Sequence, residues 1–260
     1  LEEFLKKGTR SDAGVWSPVE GGRPELLAQN MDEIRDQGRR GLMGIQMTAV
    51  CVETMPPGKK RAVKTYRVPS EDELRLADVQ VEDIEEAFLG VPHGVIDDPL
   101  PPQGSLGFRV QLYGILNWRQ VFTPRQLLAG GVFLKYTRQA IARIRETDPE
   151  NAEALAVYLT VIFGRFIDYC SQQCRWEPAD GEVKSTMSGY KLPMVWDFAE
   201  ANPLSERDRY YAGGIRAVSD AVGAFMRVCA KAPSAPVVRC VSSLATELAG
   251  QDLCFTDPPY

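Results

Sequence analysis

Asp257-Pro258-Pro259-Tyr260 bring together residue types that suit one reaction, methylation of an exocyclic amine on a nucleobase. The lone pair of such a nitrogen is delocalised into the ring, so the nitrogen is a poor nucleophile. Two acceptors aimed at its two hydrogens hold it nearer to tetrahedral and release the lone pair. The Asp257 carboxylate is one candidate acceptor and the Pro258 backbone carbonyl the other. Consecutive prolines restrict the backbone and remove donors, so Pro258-Pro259 makes a stiff loop. Tyr260 offers a flat face on which a flipped-out base can stack. The methyl donor for an in-line displacement of this kind is S-adenosylmethionine, with positioning and electrostatics carrying the catalysis.

Such a loop needs a rigid support. The apolar run Leu253-Cys254-Phe255 leads into it through Thr256 and reads as a buried strand. Ligands of open α/β sheets bind just past the carboxyl ends of strands. Upstream, Asp208–Ala230 reads as a helix with Ile215, Val218, Val222, Phe225 and Cys229 on one face. Pro233-Ser234-Ala235-Pro236 reads as a linker, Val237–Val241 as a strand and 242–251 as a short crossover. Helix, strand, connection, strand is the second half of a doubly wound sheet.

The 260 residues carry a net charge of −5, which does not mark a dedicated nucleic-acid binder, although only the contacting surface must be basic. Three basic clusters are visible: Arg35, Arg39 and Arg40; Lys59-Lys60-Arg61 with Lys64 and Arg67; and Arg138, Arg143 and Arg145. Each reads first as solvated surface. No apolar stretch is long enough for a membrane span and no signal peptide is visible. The six cysteines, Cys51, Cys170, Cys174, Cys229, Cys240 and Cys254, are scattered and form no Cys-x-x-Cys pair. They read as reduced thiols of a cytoplasmic protein, without a metal site. A first residue of Leu and a last residue on the tetrapeptide lead to the expectation of a fragment.

Between these ends, Leu26–Arg39 is expected to be a helix ended by Gly41. The runs 45–52 and 62–68 are expected to pair as a hairpin across Met55-Pro56-Pro57-Gly58. Ser70-Glu71-Asp72-Glu73 is a capping box opening a helix with a stripe of Leu74, Ala77, Val81, Ile84 and Phe88. The lone His93 follows in a Pro/Gly/Asp loop and reads as incidental. Residues 108–118 are expected to be a strand and then a loop. Thr123-Pro124-Arg125-Gln126 starts a helix running towards Arg145, with Gly130-Gly131 marking a bend or a close approach. Asp148-Pro149 precedes a second helix with the stripe Leu155, Leu159, Ile162, Phe163, Phe166 and Cys170. The two helices are expected to pack as an antiparallel pair. Residues 171–205 have no period. Within them Trp196, Asp197, Phe198 and Glu200 either line a site or anchor a loop.

Phe122-Thr123-Pro124-Arg125-Gln126-Leu127-Leu128, Asp168-Tyr169, Cys174-Arg175-Trp176, Leu192–Glu200 and Thr256–Tyr260 occur in one order. This series resembles a family of large adenine-specific DNA methylases of bacteria and archaea, some linked to anti-phage defence. The resemblance covers about residues 40–260. It implies a Rossmann-like, S-adenosylmethionine-dependent methyltransferase domain, with Asp257, Pro258 and Tyr260 at the base amine. Pro259, Trp196, Asp197 and Phe198 are the candidate substrate-binding residues. The family's glycine-rich cofactor loop, of the type Asp-Pro-Phe-Ala-Gly-x-Gly, does not occur in this sequence, and neither does the zinc ribbon of some relatives.

The expected fold class is therefore α/β: part of a Rossmann-like methyltransferase sheet with a large, mainly helical α+β insert. The expected domains are an α+β insert (1–120), a helical pair with an aromatic loop (121–204) and part of the methyltransferase domain (205–260). Expected partners are DNA and other defence-system subunits, with no membrane. The fragment is expected to be inactive alone. The competing reading is a non-catalytic helical module that binds DNA or a partner. A third is an amino-methyltransferase acting on cytosine, RNA or a protein glutamine.

Overall fold

The computed structural model describes residues 10–11, 14–17, 25–28, 30–58, 62–179, 181–187, 191–205 and 210–231. The chain divides into two compact units, Leu1–Ser219 and Asp220–Tyr260. Among the described residues the fold is mixed α+β, and its sheets are small and antiparallel. The first sheet is β1 (Arg10–Ser11), β2 (Gly14–Ser17) and β3 (Glu25–Ala28), in that order.

Helix α1 spans Met31–Arg39, so the expected helical start at Leu26 is corrected: Leu26 lies in β3. The reason is local. Asn30 is extended, and its Oδ1 accepts from the backbone N–H of Asp32 and Glu33 at 3.0 and 2.9 Å. A side-chain cap of this kind sets the first helical residue. Gly38 of α1 crosses the 110–113 turn at backbone contact. A Cβ there would overlap the Tyr113 carbonyl.

Strands β4 (Val50–Thr54) and β5 (Val63–Arg67) form the expected hairpin, paired from Val50↔Arg67 to Thr54↔Val63. Ser70 then caps α2 (Glu71–Ala77) through the expected capping box: Glu73 N–H donates to Ser70 Oγ at 3.2 Å, and Ser70 N–H donates to Glu73 Oε2 at 2.8 Å. The expected single helix is in fact two. Helix α2 ends at Ala77, and α3 (Val81–Ala87) restarts where Asp83 Oδ2 accepts from Gln80 N–H at 3.3 Å. The predicted stripe is broken with it. Ile84 is buried, but Leu74 is 47% and Val81 58% exposed.

Residues 108–118 are not a strand. They run through short 3-10 turns at Ser105–Gly107, Val110–Tyr113 and Trp118–Val121. This stretch contributes Phe108, Val110 and Ile115 to a buried apolar cluster. Leu100, Phe108, Val110, Ile115, Val121 and Leu192 bury together, with Trp118, Phe122 and Met194 packed around them. The buried positions follow neither a sustained 2- nor a 3.6-residue period, so no periodic pattern marks them.

Helix α4 (Pro124–Thr147) is continuous, and α5 (Ala152–Asp168) returns along it. The pair is antiparallel, as expected. Gly130 near the start of α4 faces Ile167 at the end of α5, and Arg145 pairs with Glu153 at the other end at 3.0 Å. Gly131 explains the Gly-Gly pair: a Cβ there would lie 2.6 Å from the Phe88 ring and 2.9 Å from Ala87 Cβ. Close approach is the reason, and the helix runs on. A small hairpin, β6 (Arg175–Glu177) with β7 (Glu182–Lys184), follows. Helix α6 (Tyr211–Cys229) packs its first turn on the pair. Phe133 lies 4.9 Å from Phe166 and 4.7 Å from Tyr211, ring to ring, and the Tyr211 and Thr137 hydroxyls are 2.6 Å apart. The helical stripe expected on α6 is not a buried face, since Ile215 is 48% and Phe225 70% exposed.

Candidate functional site

Residues 121–126, 168–176 and 198–200 meet around the start of α4. Thr123 is extended and caps the helix. Gln126 N–H donates to Thr123 Oγ1 at 3.2 Å, and Thr123 N–H donates to Gln126 Oε1 at 2.9 Å. Pro124 fills the first turn, where a missing N–H costs nothing. Thr123 has a second function: its hydroxyl donates to Glu200 Oε1 at 2.9 Å, across 77 residues of chain. Arg125 grips the other carboxylate oxygen, with Nε at 2.9 Å and a terminal guanidinium nitrogen at 2.8 Å. Both side chains are about a quarter exposed, at 26% and 24%. The carboxylate thus sits at a helix N-terminus, where the macrodipole favours negative charge. A two-point guanidinium grip is among the stronger polar contacts available. Arg125 also donates to the Ala77 carbonyl at 3.4 Å, tying the end of α2 to the same point.

The C-terminal end of α5 is bound in just as tightly. The Asp168 carbonyl accepts from Thr186 N–H and from the Thr186 hydroxyl, each at 2.8 Å, and Asp168 Oδ1 accepts from Met187 N–H at 2.8 Å. The buried hydroxyls of Ser171 and Thr186 are 2.7 Å apart. Gln172 N–H donates to the Val121 carbonyl and Ala199 N–H to the Cys174 carbonyl, both at 2.8 Å. Arg175 and Phe198 form an isolated antiparallel bridge. Residues 121–126, 168–176, 184–187 and 198–200 therefore make one interlocked knot.

Neither thiol of the knot is activated. Burial pushes the Cys170 thiol up to about 12, with the nearby Cys174 and Glu200 charges adding to the rise. Burial also raises Cys174, against hydrogen bonds from Ser171 and Thr186. A thiol that stays protonated is an inert packing group. Among the described residues, no cluster of three or more His, Cys, Asp or Glu is placed to hold a metal ion.

Of the sequence-predicted site residues, Trp196, Asp197 and Phe198 lie together on the loop that the knot holds. Trp196 is half-buried and packs edge-to-face on Tyr113, with centroids 5.2 Å apart. Asp197 is exposed and Phe198 half-buried. Asp257, Pro258, Pro259 and Tyr260, with the strands 237–241 and 253–255, lie outside the described residues. No family model, no curated protein and no solved structure matches this chain.

Sequence reasoning missed the grip on Glu200. It found Thr123 and Gln126 as a cap and Glu200 as a residue of the aromatic loop, but nothing in the chain joins them. The available signal was electrostatic: an Arg in the first turn of a helix, where acidic residues are favoured, needs a carboxylate from elsewhere. His93 adopts a left-handed backbone, φ 68°, in its loop.

Proposed function

We propose that this chain is part of an S-adenosylmethionine-dependent methyltransferase acting on the exocyclic amine of adenine in DNA. Asp257 and the Pro258 carbonyl would accept from the amine, Tyr260 would stack on the base, and Pro259 would stiffen the loop. Trp196, Asp197 and Phe198 would border the substrate. The carrying observation is the chemistry of the tetrapeptide itself, a carboxylate followed by a rigid carbonyl-bearing loop and an aromatic face. Support of a second kind comes from the knot. Four blocks that resemble one methylase family in sequence meet through hydrogen bonds that span the helical pair and the aromatic loop. This reading includes a Rossmann-like sheet formed with residues 205–260 and a cofactor loop supplied from outside residues 1–260.

The test is transfer of a labelled methyl group from S-adenosylmethionine to DNA by the protein in its full reading frame. Incorporation that Asp257→Ala abolishes, with no incorporation by the 260-residue chain alone, is the expected result. Incorporation that survives Asp257→Ala refutes the mechanism. Parallel assays on cytosine-only DNA, RNA and glutamine peptides separate the amine acceptors.

A binding module is the second reading, and one observation favours it. Val157 and Val161 of α5 are 60% and 55% exposed on one face, an apolar surface suited to a partner. A full reading frame without a glycine-rich loop after a strand would favour that module.

A further inference from the structure

Helix α5 is apolar on nearly every side: from Ala152 to Asp168 only Glu153, Arg165 and Asp168 carry charge. A helix of that composition is ordinarily covered all round. One side of α5 is covered. Ala152, Ile162 and Phe166 are buried, Phe166 against the rings of Phe133 and Tyr211. The other side is open. Val157 is 60% and Val161 55% exposed, and Ala154 and Gly164 are exposed with them. At 3.6 residues per turn these residues lie within about 80° of one another, turned away from Ile162 and Phe166.

The order of residues on this face says what covers it. In a two-fold contact each residue meets a counterpart that meets it in return. A second α5 running antiparallel, with the two-fold level with Leu159, sets Val157 level with Val161 of the other copy and Ala154 level with Gly164. Branched side chains then meet at the crossing. Towards each end an alanine faces a glycine, so nothing bulky holds the helices apart. The flanking charges obey the same symmetry. Glu153 and Arg165 are equally far from Leu159, so each end sets a carboxylate beside a guanidinium. A parallel pairing would instead set Glu153 on Glu153 and Arg165 on Arg165. Glu153 is 80% exposed, and its contacts from Arg145, at 3.0 and 3.3 Å, both fall on Oε1. Arg165 is exposed beside the Tyr169 ring. A foreign partner imposes no such mirror order on a helix face, whereas a second copy of the same helix requires it.

We propose that the face of α5 carrying Ala154, Val157, Val161 and Gly164 is a homodimer interface. Two copies of the chain cross antiparallel at Leu159, with Glu153 of each beside Arg165 of the other. This goes beyond the methyltransferase reading and does not rest on it. From Glu153 to Arg165 the helix is about 18 Å long, so the contact falls short of the ~800 Å² per partner of a standard interface. The dimer is therefore transient, with an expected Kd of about 10–100 μM.

The experiment is sedimentation velocity of the 260-residue chain from ~1 to ~300 μM. The wild type is expected to pass from monomer to dimer across that range. Val157→Asp with Val161→Asp sets carboxylates of both helices against one another at the crossing. That variant is expected to stay monomeric throughout, with the far-ultraviolet dichroism of the wild type. Glu153→Arg alone and Arg165→Glu alone each place like charges at both ends of the contact. Each should raise Kd about 10-fold, the scale of two exposed ion pairs. Both reversals in one chain restore opposite charges and should return Kd to within about threefold of the wild type. These reversals sit at exposed positions, so they keep the test decisive should the aspartate pair disturb the helix. A wild type monomeric at every concentration overturns the proposal and leaves the face to another partner. A dimer that survives the aspartate pair also overturns it, because that dimer forms elsewhere on the chain. So does a double reversal that dimerises no more tightly than the single ones. Asp257→Ala should dimerise as the wild type does, so loss of methyl transfer and loss of the dimer are read separately.

Discussion

Replacing Gly131 by Ala should destabilise the protein, although the same change in an ordinary helix stabilises it. In a helix interior, Ala is favoured over Gly by about 1 kcal/mol. At Gly131 the new methyl would lie 2.6 and 2.7 Å from two carbons of the Phe88 ring and 2.9 Å from Ala87 Cβ. Carbon pairs rest at about 3.5–4.0 Å, so the overlap is about 1 Å against both Ala87, the last residue of α3, and Phe88, which caps it. Ala87 is buried, and its Cβ is fixed to the α3 backbone, so rotation of the Phe88 ring alone gives no relief. Overpacking of this kind costs about 1–3 kcal/mol. Less the propensity gain, the net expectation is a loss of up to about 2 kcal/mol. Gly164 in α5 supplies the control: it is exposed and a Cβ there meets nothing within 4 Å, so Gly164→Ala should stabilise by about 1 kcal/mol. Urea denaturation of the two variants reads both signs, and thermal midpoints should move in opposite directions by about 2–4 °C per kcal/mol. The combination Gly131→Ala with Phe88→Ala should recover part of the loss. A Gly131→Ala protein stabilised as much as Gly164→Ala would refute the claim that α3 presses on α4 at this point.

Glu200→Ala should cost about 1–2 kcal/mol, since it strands the buried Thr123 hydroxyl and the partly exposed Arg125 guanidinium. A double-mutant cycle with Arg125→Met measures the link, and a coupling energy indistinguishable from zero would show that the grip contributes nothing. The Glu73 carboxyl is held down to about 2, first by the Arg67 guanidinium and then by the Ser70 N–H, against an ordinary value of 4.5. Its folded-state value is depressed, so its contribution to stability is complete above the ordinary value and disappears as the pH falls towards 2. Carbon-detected NMR titration should find the low midpoint and should find it raised in Arg67→Ala; a wild-type midpoint at the ordinary value contradicts the geometry.

Local signals were legible wherever one short stretch carries the whole device. Ser70-Glu71-Asp72-Glu73 and Thr123-Pro124-Arg125-Gln126 are capping boxes in both sequence and structure, because a cap needs only four consecutive residues. The β4–β5 hairpin and the antiparallel α4–α5 pair follow from turn residues and short connections in the same way. The break between α2 and α3 was not legible. The apolar spacing runs through it, while the chain instead recaps at Gln80 and gives the Ala77 carbonyl to Arg125.

Amino-acid types alone supply the groups on which the proposed chemistry rests: a carboxylate, a proline carbonyl and an aromatic face in four consecutive residues. Tertiary structure alone decided what Thr123, Arg125 and Glu200 do. A hydrogen bond across 77 residues depends on where two distant segments come to rest, and no local propensity encodes that separation. It also decided that residues 100–122, without any period, form a core while the patterned faces of α5 and α6 stay partly open. Periodicity reports which side chains share a face, but burial depends on whether another element comes to cover it.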